Sequence, residues 1–315
     1  MKSIAVLLPA YNESITIAET IKSFVQALPE AEIIVIDNNS IDDTALIANK
    51  TIKELGCVGS VLFENKKGKG NAIRRAFLSI DADIYIISDA DSTYPAEQVN
   101  DLLGPIINNK ADMVIGDRHA LGDYKKENKR IFHNNGNKLI NTFVNILFRS
   151  NLNDVMSGFR ALNYKIVKNY PLIVEGFEIE TDLTLFALDK RFRILEIPIR
   201  YQDRPEGSFS KLSTFGDGAR VIFIIFQTVR FYKPLLFFTA ISLFTFFAAL
   251  ILGYTVVNEY LQTKVITHLP LAILSASIMI IAVLSLGIGL VLDAIAHQNK
   301  INFEARLIDS QKNNA

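Results

Sequence analysis

The sequence predicts an α/β fold: an open, mostly parallel sheet with helices on both faces, followed by a two-helix transmembrane hairpin. Three observations predict it. Residues 1–120 alternate short apolar runs with longer helical patterns, the rhythm of a doubly wound sheet. The short runs are apolar at consecutive positions, as strands covered on both faces are. Residues 234–258 and 269–292 hold no charged side chain, and each run exceeds the ~20 residues that cross ~30 Å of hydrocarbon.

The first strand is expected at Ile4–Leu8. As a secretory signal this run is too short, and Pro9 ends it without a small-residue cleavage site. Further strands are expected at Glu32–Ile36, Val58–Phe63, Ile84–Ile87 and Met113–Ile115, with helices near 14–28, 42–55, 69–80 and 96–108. Gly122-Asp123 and the Lys125–Lys129 run mark 118–129 as a polar loop. Helices over Ile131–Phe148 and Glu178–Asp189 and a strand at Ile194–Ile199 follow. Residues 214–232 combine bulky apolar residues with Arg220 and Arg230. That composition suits a helix on the membrane surface with arginines toward the headgroups, and it suits a core helix nearly as well. Arg220, Arg230 and Lys233 precede the first span and Lys300, Arg306 and Lys312 follow the second, whereas the connecting loop offers only Lys264. The positive-inside rule then puts both termini and the bulk of the chain on the cytoplasmic side of an inner or plasma membrane. The expected organisation is a cytoplasmic domain at 1–212, a surface helix at 213–233, a transmembrane hairpin at 234–296 and a tail at 297–315.

Composition narrows the function. Of 315 residues, 50% are hydrophobic and 21% charged, which excludes disordered and collagen-like classes. One cysteine, Cys57, cannot form an intramolecular disulfide and fits a reducing compartment. Lys+Arg and Asp+Glu cancel at 33 each, arguing against nucleic acid as a partner. The balance is uneven along the chain: residues 1–110 carry 10 bases against 15 acids, and 111–234 carry 19 against 14. The four histidines are too scattered to suggest zinc.

In an open α/β sheet ligands bind beyond the carboxyl ends of the strands, and that rule separates two D-x-D pairs. Asp81 and Asp83 precede the Ile84–Ile87 strand and belong to a solvated turn. Asp89 and Asp91 follow it and face the crevice. The clusters Pro9–Glu13, Asp37–Ser40, Lys66–Gly70 and Asp117-Arg118 pass the same filter. Each alone reads as a turn with capping side chains; together they favour a nucleotide pocket. Close carboxylates tolerate each other when Mg²⁺ or Mn²⁺ lies between them and a diphosphate, and such an ion neutralises a leaving diphosphate. No Walker or G-x-G-x-x-G pattern is present, which disfavours phosphoryl transfer from ATP and dinucleotide binding.

Leu8–Glu13, Ile36–Ser40, Lys67–Gly70, Ser88–Asp91 and Gly116–Arg118 resemble the motifs of family 2 glycosyltransferases with the GT-A, Rossmann-like fold. Met156–Arg160 and Arg204–Leu212, with the hairpin, are similar to the polyprenyl-phosphate sugar synthases among them. The resemblance implies that Pro9, Tyr11, Glu13 and Asp37 contact the nucleoside, with Lys69 near it or its phosphates. It implies Asp89 and Asp91 as ligands of Mg²⁺ or Mn²⁺. Arg118, Arg130, Arg204, Ser208 and Lys211 would surround the sugar diphosphate and the lipid phosphate, with Arg130, Arg204 and Lys211 at the bilayer-side opening. Ser92-Thr93 departs from the Leu-Gln of the dolichol enzymes and puts a third metal ligand in doubt. Asn38-Asn39 replaces a common pair of aspartates and weakens GDP relative to UDP.

The function expected is inverting transfer of a hexose or N-acetylhexosamine from a UDP-sugar to undecaprenyl phosphate, for decoration of the cell envelope. A lipid monophosphate is already anionic near neutrality, with a second pKa of about 6, so it needs no general base. Glu178 and Glu180 are carboxylates near the sugar or, equally, exposed helix acids. GDP-mannose as donor and a glycan or protein hydroxyl as acceptor are the alternatives. A processive polysaccharide synthase is excluded because its Gln-x-x-Arg-Trp motif needs a tryptophan, and the chain has none. A nucleotidyltransferase would not need the basic surface helix or hairpin, and a non-catalytic scaffold would not need the acid pair. A homo-oligomer is left open.

Overall fold

A computed structural model describes residues 2–122, 131–176, 178–205 and 217–313, and the chain divides into two compact units, 1–221 and 222–315. Its described residues form seven strands: β1 (Ile4–Ala10), β2 (Glu32–Asp37), β3 (Gly59–Phe63), β4 (Ile84–Ile87), β5 (Met113–Asp117), β6 (Arg160–Asn163) and β7 (Ile194–Pro198), all in the first unit. They form one sheet in the order β3-β2-β1-β4-β6-β5-β7. β1 pairs in parallel with β2 and β4, β2 with β3, and β5 with β7. β6 is antiparallel to both β4 and β5. Two reversals restore direction, so β5 and β7 run the same way as β4. The carboxyl ends of six strands therefore share one edge with the amino end of β6.

The apolar runs explain the sheet's position. Ala5–Leu8 and Ile33–Ile36 are fully buried at every position, which requires cover on both faces. The cover comes from α1 (Ile17–Ala27), α2 (Thr44–Leu55), α3 (Lys69–Ser79) and α4 (Val99–Ile107), the last entered through a 3-10 turn at Ala96–Gln98. In α1 the buried residues are Ile17, Thr20, Ile21 and Phe24, spaced to line one helical face. Phe24 meets Phe159 edge-on, ring centres 6.2 Å apart. Beyond β5 lie α5 (Ile131–Phe148), α6 (Tyr164–Asn169) and α7 (Ile179–Asp189). The expected loop at 118–129 lies only partly within the described residues.

α8 (Asp217–Tyr232) begins in the first unit and ends in the second, which also holds α9 (Pro234–Thr263) and α10 (Leu269–Asn313). α9 and α10 are long and apolar enough to cross a membrane, with only 11% of each apolar window buried; a core helix of that composition would be mostly covered. Small residues let the two helices approach. Ser242 Oγ donates to the Ala282 carbonyl at 2.7 Å, and Gly289 lies against Phe238 and Leu235. Ser242, Ala249 and Val256 are buried at seven-residue spacing, a left-handed seam. The segment expected as a tail after the second span continues as helix to Asn313.

Candidate active site at the carboxyl edge

The turn after β4 is clamped before any ligand is considered. The Ala90 carbonyl accepts from Thr16 Oγ1 at 2.8 Å and Thr20 Oγ1 at 3.3 Å. Thr20 also shares a 2.8 Å hydroxyl contact with Ser92, whose φ is +60°. Thr93 then fixes Asp91: its hydroxyl donates to Oδ1 at 2.6 Å and its amide at 3.2 Å. Thr93, at the position where a third metal ligand was in doubt, thus orients Asp91. Asp81 and Asp83 lie at the opposite edge, where Asp83 Oδ2 accepts from the Ser3 amide (2.8 Å) and hydroxyl (3.1 Å) and Asp81 pairs with Lys168 at 3.0 Å.

Two cations meet the paired acids. Lys69, the first residue of α3, is buried, and its ammonium contacts both Asp89 and Glu180, the latter buried on α7. Burial opposes the charge on Lys69, but Asp89 and Glu180 together outweigh it and hold its pKa above the ordinary lysine range. Burial likewise opposes ionisation of Asp89, and Lys69 prevails, holding its carboxyl below the usual range. Asp91 goes the other way: burial and the neighbouring Asp89 push it up despite Arg204. Arg204 bridges the crevice, Nη2 at 2.5 Å from Asp91 Oδ2 and Nη1 at 3.3 Å from Glu13 Oε1. Burial works against its charge, and Asp91 and Glu13 hold its pKa above the ordinary value. Arg204 sits over the acid pair, because the parallel strand β7 delivers residues 199–204 to the same edge as Asp89.

The Ser157–Phe159 segment closes this cluster from the amino end of β6. A Cβ on Gly158 would lie 3.0 Å from both Asp89 Oδ2 and Lys69 Nζ, so the close approach depends on glycine. Tyr94 holds the segment by accepting from the Gly158 amide at 2.9 Å and stacking on Phe159 at 5.5 Å. From below, the buried Arg160 donates to the Ser157 carbonyl (2.7 Å), the Val155 carbonyl (2.7 Å) and Thr184 Oγ1 (2.8 Å). Burial lowers its pKa from the ordinary arginine value.

The remaining candidates line the same edge. Pro9 is half-buried near the end of β1, and Asp37 is buried at the end of β2. Tyr11 Oη accepts from Lys67 Nζ at 3.3 Å. Glu13 is buried and accepts from Thr16 Oγ1 at 3.2 Å. Asn38 fastens the 66–68 loop, donating to the Lys66 carbonyl and accepting from the Gly68 amide, each at 2.7 Å. Gly70 lets residues 174–176 cross the start of α3, since a Cβ there would collide with the Val174 carbonyl. Arg118 is locked in a two-pronged pair with the fully buried Asp154, Nε to Oδ2 at 2.7 Å and Nη2 to Oδ1 at 2.8 Å. Burial raises the Asp154 carboxyl and Arg118 outweighs it, leaving the pKa low. Arg130, Ser208 and Lys211 lie outside the described residues.

Among the described residues no group of three His, Cys, Asp or Glu side chains is placed to hold a metal. Asp89 and Asp91 nevertheless fit a hard divalent cation that takes further oxygens from a diphosphate. Their crowding raises Asp91 even with an arginine on it, and a doubly charged ion would relieve that. The chain is a glycosyltransferase of GT-A-like architecture, with the paired acids and their basic neighbours at one edge of a mixed seven-stranded sheet. The chain belongs to glycosyl transferase family 2, whose pattern covers residues 5–170. It is 28% identical over 294 residues to glycosyltransferase AglJ of Haloferax volcanii, covering 93% of each chain. It is 28% identical to the undecaprenyl-phosphate mannosyltransferase of Micrococcus luteus, covering 66% of this chain and 86% of that one. Glucosyl-3-phosphoglycerate synthase of Mycobacterium tuberculosis, solved with Mn²⁺, UDP and phosphoglyceric acid, has the same fold at TM-score 0.57. It is 20% identical, with 73% of this chain and 78% of that one covered.

Proposed function

We propose that this chain transfers a sugar, with inversion and dependence on Mg²⁺ or Mn²⁺, from a nucleotide sugar to a polyprenyl phosphate at the cytoplasmic membrane face. The observation that carries this reading is the grouping of Asp89, Asp91, Lys69 and Arg204 on one sheet edge, in a chain with two largely uncovered apolar helices. The Mn²⁺ and UDP of the mycobacterial structure and the name of the Micrococcus relative support it.

In this reading Asp89 and Asp91 hold the cation, which when bound neutralises charge on the leaving diphosphate. Lys69 keeps Asp89 ionised, and Thr93 aims Asp91. Pro9, Tyr11, Glu13 and Asp37 accommodate the nucleoside, and Arg118, Arg130, Ser208 and Lys211 meet the phosphates. An oxygen of the lipid phosphate forms the new bond to the anomeric carbon. The bond from that carbon to the diphosphate oxygen breaks, and its electron pair leaves with the nucleoside diphosphate. No proton need be removed from the acceptor, consistent with Glu180 being tied to Lys69 rather than held as a base.

A UDP-hexose or UDP-N-acetylhexosamine is the first donor reading. GDP-mannose is the second, favoured by the mannosyltransferase relative; Asn38, which weighed toward UDP, spends its amide on the 66–68 loop. For topology, α8 lies along the membrane surface, α9 and α10 span, and both termini face the cytoplasm; the basic flanks support this arrangement. The test presents radiolabelled UDP-sugars and GDP-mannose with polyprenyl phosphate or soluble hydroxyl acceptors and follows the label by thin-layer chromatography. Label migrating with the lipid supports the reading. Label on soluble acceptors alone contradicts it.

A further inference from the structure

The two cations on the acid pair are not equivalent. Lys69 is enclosed, its side chain 8% exposed and held by both Asp89 and Glu180. Arg204 is more accessible, its side chain 23% exposed, and it reaches Asp91 and Glu13 from the segment after β7. A divalent ion taking Asp91 must compete with the guanidinium on Asp91 Oδ2, since the Thr93 hydroxyl and amide already use Oδ1. A displaced guanidinium has a natural substitute partner in a diphosphate, to which arginine binds in the same two-pronged fashion as to a carboxylate.

We propose that Arg204 is an exchangeable internal counter-ion that passes from Asp91 to the donor's diphosphate as the metal binds, so that metal and nucleotide bind cooperatively. The inference rests on the donor reading above. Metal alone must break the Arg204 contacts without replacing them, and nucleotide alone meets an arginine already engaged by two carboxylates. Bound together, each supplies what the other displaces. The coupling is reciprocal: the factor by which nucleotide tightens metal is the factor by which metal tightens nucleotide.

The experiment measures Mn²⁺ affinity of the full-length protein in nanodiscs by titration calorimetry, with and without saturating UDP and, in parallel, GDP. In the wild type one nucleotide should tighten Mn²⁺ by about tenfold or more, within the usual range of site–site coupling. Arg204→Gln should bind Mn²⁺ alone about tenfold more tightly than wild type, and the nucleotide should then tighten it clearly less than in wild type, the remaining coupling being the diphosphate's own coordination of the ion. Glu13→Gln, which weakens the Glu13 hold on Arg204, should fall between them; it keeps the test open if the first variant fails to fold. Mn²⁺ binding that is unchanged or weaker in both variants, with nucleotide coupling intact, overturns this inference and leaves the donor reading standing. Absence of binding of both Mn²⁺ and Mg²⁺ to any form, with or without either nucleotide, overturns both.

Discussion

Adding one methyl group at Gly158 should disturb the chemistry without disturbing the fold. The Cβ of Gly158→Ala would sit 3.0 Å from Asp89 Oδ2 and from Lys69 Nζ, and 3.2 Å from Asp89 Oδ1. Ordinary van der Waals contact for a Cβ begins near 3.4 Å, so the acid and its lysine must retreat by a few tenths of an ångström. Neither is at the loose end of a surface chain: Lys69 is pinned by Glu180, and Asp89 leaves a turn clamped through Ala90. Misplacement of ~1 Å costs catalysis on the order of 100-fold, so a shift of a few tenths of an ångström should cost roughly four- to tenfold in kcat. Stability should change by less than about 1 kcal/mol, because alanine recovers backbone entropy that glycine loses. The assay is the initial rate of lipid-linked sugar formation at saturating donor, beside a thermal unfolding curve. Gly158→Val should be worse by a further order of magnitude. Wild-type kcat in Gly158→Ala, with the fold confirmed, would refute the claim that Gly158 sets the position of Asp89.

Asp91→Ala should lower transfer by at least about 100-fold, whereas Asp83→Ala, at the opposite edge, should keep it within about twofold; equal loss in two folded variants would discredit the strand-end argument. Asp154→Asn strands a buried arginine and should cost about 3 kcal/mol at pH 7, read as a Tm lower by roughly 6–12 °C. Because the folded-state pKa of Asp154 lies below its unfolded value of about 3.9, its stabilisation is complete above that value and is lost as pH falls through the folded pKa. The Tm gap between wild type and Asp154→Asn should therefore narrow on acidification below about pH 4, and a gap that widens would contradict the assignment. Arg160→Met should loosen the Val155–Ser157 carbonyls and cost on the order of 2 kcal/mol, measurable by denaturant unfolding of the folded variant. A reporter fused after Ala315 should be cytoplasmic; exposure on the far side of the membrane would overturn the topology.

The central part of the fold was legible because burial on both faces leaves a direct mark, an unbroken apolar run, on β1, β2 and β4. The strand-end rule then separated Asp89 and Asp91 from Asp81 and Asp83, since it needs only chain direction. The same rule applied to the strand expected at Ile194–Ile199 brings Arg204, a few residues beyond its carboxyl end, toward the acid pair. β6 left no such mark. It is four residues long and opens on an arginine, and a buried charge satisfied by carbonyls from Val155 and Ser157 looks, in sequence, like a surface residue. Lys69–Glu180 and Arg118–Asp154 are likewise invisible to local pattern, because each pair is made by tertiary packing. Glu180 had been weighed equally as an exposed acid and is buried instead. The helical continuation of α10 had a readable signal: no glycine or proline occurs from Asp293 to Asn313, so nothing stops the helix when the apolar run ends.

The identity of the acceptor is decided by analysis of the lipid product. Purified protein is incubated with undecaprenyl phosphate, Mg²⁺ or Mn²⁺, and a panel of UDP-sugars and GDP-mannose, and the lipid fraction is weighed by mass spectrometry. The account predicts one donor whose sugar adds to the lipid phosphate, with the product absent after chelation of the metal and absent in Asp91→Asn. No lipid product from any donor, or product formed undiminished by chelation and by Asp91→Asn, would contradict it.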